Sequence, residues 1–156
     1  MEHTSNNNSV LINKLIEINN DRIEGYETAI TLLPDKETSG ARKIFEALRD
    51  QSLAFKNELA PLVVQCGGKP TETTRDSGKL FRAWMTLKST LSAHTLASIL
   101  DSCDQGEQEF SEAYFHALED SIGAGLDIVT IIERQSNLQQ ETYNKLKDWK
   151  DSNIEE

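Results

Sequence analysis

The apolar residues of this chain recur at steps of three and four, which is the mark of a helix with one buried face. Leu11, Leu15, Ile18, Tyr26, Ala29 and Leu33 form one such stripe, widened on one flank by Ile12, Ile16, Ile23 and Ile30. The helix that carries it is expected to begin near Ser5 to Ser9, after a polar and mobile start. It should stop at Leu33-Pro34-Asp35, because the residue before a proline is pushed out of the α region. A second stripe, Ala41, Phe45, Leu48, Phe55, Leu59, Leu62 and Val63, follows a capping position at Thr38 or Ser39. Pro61 removes one helical hydrogen bond and favours a kink, and Gly67-Gly68 supplies the stop.

Lys69 to Gly78 is crowded with Pro, Thr, Asp, Ser and Gly and is expected to be loop. Leu80, Phe81, Trp84, Leu87 and Leu91 mark a shorter amphipathic helix over Lys79 to Leu91, with a break at Ser92 to Thr95. A third long stripe is Leu96, Leu100, Cys103, Phe110, Tyr114 and Leu118, followed by a turn over Glu119 to Gly125. The fourth is Ile128, Ile131, Leu138, Leu146 and Trp149, before an acidic tail from Asp151 to Glu156 that should fray. No strand-like alternation persists anywhere. The fold class that follows is all-α: a four-helix bundle in one domain, with a long connection between the second and third long helices that carries a short extra helix. Helices joined by short turns should pair antiparallel, while the long connection can cross the length of the bundle, as the ferritin-like arrangement requires.

Some polar residues fall on the apolar stripes, and these carry the candidate chemistry. Glu107 lies in the middle of the third stripe, between Cys103 and Phe110, and an unpaired buried carboxylate is expensive. Arg22, Ser52 and Gln135 occupy the other three stripes, each near the midpoint of its helix. Midpoints coincide in height whatever the helix directions, so Arg22, Ser52, Glu107 and Gln135 should form one central polar layer, with Arg22 as the partner of Glu107 and Gln135 helping. Such a layer can be read as a cofactor or small-ligand pocket. It can also be a hydrogen-bonded plate that fixes register, a role attested for buried polar groups in coiled coils. The second reading is the expected one, because a cation, an anion, an amide and a hydroxyl can satisfy one another without a metal or cofactor.

Composition narrows the classes. With 26 acidic against 16 basic residues in 156, the net charge of −10 argues against nucleic acid or an anionic membrane as partner. No apolar run approaches the ~20 residues of a membrane span. The start, MEHTSNNNSV, has neither a basic segment nor a small-residue cleavage site, and Cys66 and Cys103 lack metal or redox spacing, so a reduced, cytoplasmic protein is expected. A di-iron bundle needs a Glu from each of two helices and a Glu-x-x-His from each of the other two. No Glu-x-x-His occurs. The nearest pair, Glu112 and His116, points away from the stripe; Glu24 and Glu27 lie off theirs; His94 falls in the predicted break and His3 in the mobile start. Neither a catalytic triad nor a phosphate loop is visible.

Four segments, LINKLIEINNDRIEGYETAI, FRAWMTLKSTL, ILDSCDQGEQEFSEAYFHAL and IIERQ, resemble the ferritin-like bundles of the domain-of-unknown-function 2383 family. The most specific of them are Trp84 in its amphipathic setting and the run from Cys103 to Glu107. The resemblance covers Val10 to Trp149 and implies the fold and a bacterial origin, but no activity. The expectation is therefore a non-catalytic structural or interaction module, forming a homo-oligomer or taking a partner helix at Phe81 to Trp84. The alternative is a metal-binding or di-iron-like oxidoreductase or iron-handling protein with an incomplete ligand set.

Overall fold

A computed structural model of the chain describes residues 2–34, 39–74 and 95–153. The described residues form the helices α1 (Glu2–Leu32), α2 (Ser39–Gln65), α3 (Leu96–Asp120) and α4 (Leu126–Asn153), with no strand among them. The short amphipathic helix expected over Lys79 to Leu91 lies outside the described residues, as do Trp84 and His94.

Side chains that bond across each pair of helices give the directions. Arg22 and Tyr26 of α1 reach Ser52 and Phe45 of α2; Asn19 and Arg22 reach Tyr114 and Glu107 of α3. Gln139 and Gln135 of α4 meet Glu107 and Tyr114, and Gln135 also reaches Phe55 of α2. In every pair one number rises as the other falls, so α1 runs up, α2 and α3 run down, and α4 runs up. Two consecutive parallel helices, α2 and α3, need a crossover between them, and the structure shows its beginning. Asn13 donates to the Lys69 carbonyl and accepts from the Thr71 amide, while Asn20 donates to the Thr73 carbonyl. The chain leaving α2 is thus pegged along α1 at two points seven residues apart, which span ~10 Å of helix.

The turns are built by local rules. At the end of α2 the Gly67 amide bonds to the Val64 carbonyl and the Gly68 amide to the Val63 carbonyl, both at 2.9 Å, with Gly67 at φ 83°. This is a Schellman stop, and only glycine takes the left-handed position without strain. α3 opens on a capping box: the Thr95 hydroxyl accepts from the Ser98 amide and the Ser98 hydroxyl accepts from the Thr95 amide, each at 3.1 Å. Phe45, Leu48, Leu59, Leu100, Phe110 and Leu146 are among the side chains that close one apolar core shared by all four helices. Full burial of such side chains contributes ~1.5–3 kcal/mol each.

Two expectations need correction. α1 starts at Glu2, not near Ser5 to Ser9. Its second turn has partners at the bundle end: the Asn8 amide bonds to the Ala124 carbonyl, and Ser9 packs against the Gly68 turn. The inner face of α4 is also turned from the expected one. Ile128, Ile132, Gln135, Gln139, Tyr143 and Leu146 are buried, whereas Leu138 is exposed and Ile131 half-buried. The Leu138 side chain suggested the wrong member of an adjacent pair, because Gln139 takes the buried place for its hydrogen bonds.

Gly67 and Gly68 should therefore respond differently to alanine. Gly67 meets nothing within 4 Å, so Gly67→Ala carries only the left-handed backbone cost, about 1 kcal/mol. A Cβ on Gly68 would sit 2.8 Å from Ser9 Cβ, which forces α1 and the turn apart. Urea unfolding should show the larger loss for Gly68→Ala; equal losses would contradict the close approach of α1.

Candidate functional site

The polar centre begins with Arg22, whose side chain has 0% exposure, as does that of Glu107. The two meet in a fork: Arg22 Nε donates to Glu107 Oε2 at 2.8 Å and Nη2 to Oε1 at 2.7 Å. The remaining arm, Nη1, donates to Gln51 Oε1 at 3.0 Å and Ser52 Oγ at 3.1 Å on α2. The carboxylate is completed from two more sides, by the Tyr26 hydroxyl at 2.9 Å to Oε2 and by the Gln139 amide at 3.2 Å to Oε1. Phe110, one turn from Glu107, places its ring 4.6 Å from the guanidinium carbon, and a cation stacked on a ring face is attracted to it. All four helices contribute. Every group here is reached from a position dictated by helical spacing: Arg22 and Tyr26 stand four apart on α1, Glu107 and Phe110 three apart on α3.

Gln135, expected in the same layer, is not there. It belongs to a neighbouring set in which Asn19 donates to the Tyr114 hydroxyl at 2.9 Å and that hydroxyl donates to Gln135 Oε1 at 2.7 Å. The Gln135 amide then donates to the Phe55 carbonyl and to Glu58 Oε1, both at 3.2 Å. Glu58 also pairs with Arg134 across α2 and α4. The polar centre is thus two tiers, one turn apart, and Gln139 holds the place beside Glu107 that Gln135 was expected to hold. The reason is vertical offset: a residue four positions away on a helix lies ~6 Å along the axis. Sequence reasoning missed Gln139, Gln51 and the Tyr26 hydroxyl. The available signal for Gln139 was its spacing, four after Gln135 and seven before Leu146.

Protons in the first tier are held tightly. Burial would lower the Arg22 pKa, but the charge and hydrogen bonds of Glu107 outweigh it and the net movement is upward. Burial, aided by the Glu107 charge and then that of Cys103, raises the Tyr26 phenol well above its ordinary value. Cys103 is raised too, by burial first and then by the charges of Glu107 and Asp104. Burial likewise raises Tyr114 in the second tier.

The donor set does not fit a di-iron centre. At the level of Glu107 the other three helices present Arg22, Ser52 and Gln139, and three residues on from the last two stand Phe55 and Thr142, not histidines. Both Glu107 oxygens already accept from neighbours, and the guanidinium fills the space between the helices. Among the described residues, no three His, Cys, Asp or Glu side chains gather as around a metal. His116 is exposed beside Glu112 at 3.7 Å and Glu119 at 3.3 Å, and Glu24 and Glu27 are exposed on α1.

Removing either partner of the fork leaves the other charge buried, so Glu107→Leu or Arg22→Met alone should cost on the order of 3 kcal/mol. The double variant should cost far less than their sum, and a denaturation double-mutant cycle reads the difference. Simple additivity would show that the pair contributes no coupling. Alkaline pH provides a second check. Tyr26, Tyr114 and Cys103 all have folded pKa values above their unfolded ones, so their contribution is complete below the unfolded values and lost as pH rises through the folded ones. Stability should be level in this respect up to about pH 8 and fall beyond about pH 10, more gently in Tyr26→Phe; an unchanged slope in that variant would contradict the raised phenol.

No curated protein matches the sequence. Among solved structures, the chain is similar to "Crystal structure of ferritin like, diiron-carboxylate proteins from Bacillus anthracis str. Ames", with 15% identity and a TM-score of 0.68. The likeness covers 95% of this chain and 96% of the other, and at that identity it is a likeness of fold: a ferritin-like four-helix bundle. The model of the family described as domain of unknown function (DUF2383) matches residues 8–120, from the first turns of α1 to the last residue of α3. The chain belongs to the DUF2383 family.

Proposed function

We propose that this chain, as one domain over residues 1–156, is a non-catalytic bacterial protein of the cytoplasm that acts through its surface, as a structural or interaction module in one or more copies. The observation that carries this reading is the Arg22–Glu107 fork at the centre of the bundle. A guanidinium stays protonated at every physiological pH, and neither carboxylate oxygen is left without a donor. Arg22, Ser52, Glu107 and Gln135 are on this reading structural groups, not cofactor ligands.

Surface features support a role in contacts. Ile122 and Leu126 are 85% and 80% exposed, and Val64 is 60% exposed. All three belong to the end of the bundle where the α3–α4 turn meets the end of α2, beside a cleft of about 320 Å³ lined by Leu62, Cys66 and Ile128. Among the described residues no helix is long and apolar enough to cross a membrane. The excess of acidic residues disfavours nucleic acid.

The alternative, an iron-handling or di-iron-like oxidoreductase role with an incomplete ligand set, has the fold likeness in its favour and the donor set against it. Elemental analysis separates the two. Protein purified from cells supplied with iron and manganese should carry no stoichiometric metal after gel filtration, and its unfolding temperature should not respond to added Fe(II), Mn(II) or Zn(II). Stoichiometric retained metal, or stabilisation by any of these ions, would overturn the proposal.

A further inference from the structure

The acceptors around Arg22 are held in place by groups other than Arg22. Glu107 Oε2 takes the Tyr26 hydroxyl, Oε1 takes the Gln139 amide, and Gln51 Oε1 takes the Thr142 hydroxyl at 2.9 Å. Phe110 lines the flat side of the same space. The side chain of Arg22 enters this prearranged set of acceptors and uses four donor contacts there, two to the carboxylate and two to α2.

We propose that the middle of the bundle is a binding site for one planar, fork-shaped cation, and that the chain itself supplies that cation as the guanidinium of Arg22. The chemistry of the site selects this class over the others. A spherical ammonium cannot reach both carboxylate oxygens and the two α2 acceptors with parallel N–H bonds. A divalent ion prefers several charged oxygen or imidazole ligands. Here it would find one carboxylate, and would have to displace the Tyr26 and Gln139 hydrogens that already point at it. The aliphatic stem of Arg22 serves as a tether, so cutting it should leave a cavity that a free alkylguanidinium can occupy. Buried cavities in folded proteins do take up small molecules of matching chemistry. The inference rests on the reading of this layer as metal-free, and the two can fail separately.

The experiment is thermal unfolding of Arg22→Ala with millimolar ethylguanidinium, methylammonium, Mn(II) or Zn(II), beside the unaltered protein. Arg22→Ala should unfold about 10 °C lower than the unaltered chain. Beyond its Kd, ethylguanidinium should raise that temperature by about 4 °C for each tenfold increase in concentration. Methylammonium and the metal ions should not raise it, and in Arg22→Ala/Glu107→Gln the rise with ethylguanidinium should vanish. If Arg22→Ala does not fold unaided, recovery of its helical circular dichroism with ethylguanidinium is the readout. Absence of rescue in either format overturns the proposal. So does rescue of Arg22→Ala by methylammonium or a metal ion to the same degree, or rescue that survives Glu107→Gln. Stabilisation of the unaltered protein by metal would instead sink the functional reading and leave the Arg22→Ala result to stand by itself.

Discussion

Two opposite charges stripped of all water set the terms for the rest of this bundle. Taking an ion out of water costs several kcal/mol, and attraction between partners recovers that cost only with good geometry and with the remaining lone pairs and protons satisfied. Arg22 and Glu107 meet that condition by drawing Tyr26 from their own neighbourhood, Gln51 and Ser52 from α2, and Gln139 from α4. A slip of α1 or α3 by one residue would rotate its contribution by about 100° and strand a charge in the core, and a slip of α2 or α4 would withdraw the neutral groups that complete the pair. Apolar side chains supply the bulk of the stabilisation, but Leu and Ile tolerate such shifts far better than a two-pronged hydrogen-bonded pair. The fork therefore fixes which of several similar packings is the native one.

The same constraint explains how a ferritin-like fold can hold an ion pair at its centre. In carboxylate bundles the metal ions neutralise inward-facing acids and tie the helices together. Here Glu107 faces inward against Arg22, so the positive charge at its oxygens comes from a side chain of α1. The second tier runs from Asn19 through Tyr114 to Gln135 and joins α1, α3, α4 and α2 by hydrogen bonds between neutral groups, with the Glu58–Arg134 pair at its outer edge. Polar groups occupy the middle, while Phe45, Leu59 and Leu146 are among the apolar side chains of the surrounding core.

Helical stripes alone made the fold legible, because α2 and α3 present continuous buried faces, apolar but for one position each: Ala41, Phe45, Leu48, Ser52, Phe55 and Leu59 on one, Leu100, Cys103, Glu107, Phe110 and Tyr114 on the other. Arg22, Ser52 and Glu107 were legible for the same reason, as polar members of otherwise apolar faces. Gln139 was not, because Leu138 beside it offered a more apolar candidate for the same face, and hydrogen-bond demand from α3 decides between the two. The height of each polar group was also hidden. Midpoint counting places Gln135 level with Glu107, yet the axial stagger between α3 and α4 comes from packing and from the length of the turn over residues 121–125, and neither is written in the stripe. Other contacts of the start of α1 were hidden for a related reason: Asn8 and Ser9 meet the Ala124 carbonyl and the Gly68 turn, both distant in sequence.

Asn13 and Asn20 give the crossover a ruler. They stand almost directly above one another on α1, since seven residues make nearly two turns, and the segment from Lys69 to Thr73 is clipped to both. The outer face of α1 thus sets the path of a segment that belongs to another part of the chain, while an adjacent face sets Arg22 against Glu107. Chain length is therefore free to vary in some places and not in others. A residue added or lost between Asn13 and Asn20 would break the spacing of the clip and shift Asn13 relative to the buried fork in a single event. The contacts of Lys69, Thr71 and Thr73 with α1 set no chain length beyond Thr73. Tolerance to a change of chain length is accordingly lowest in the middle of α1.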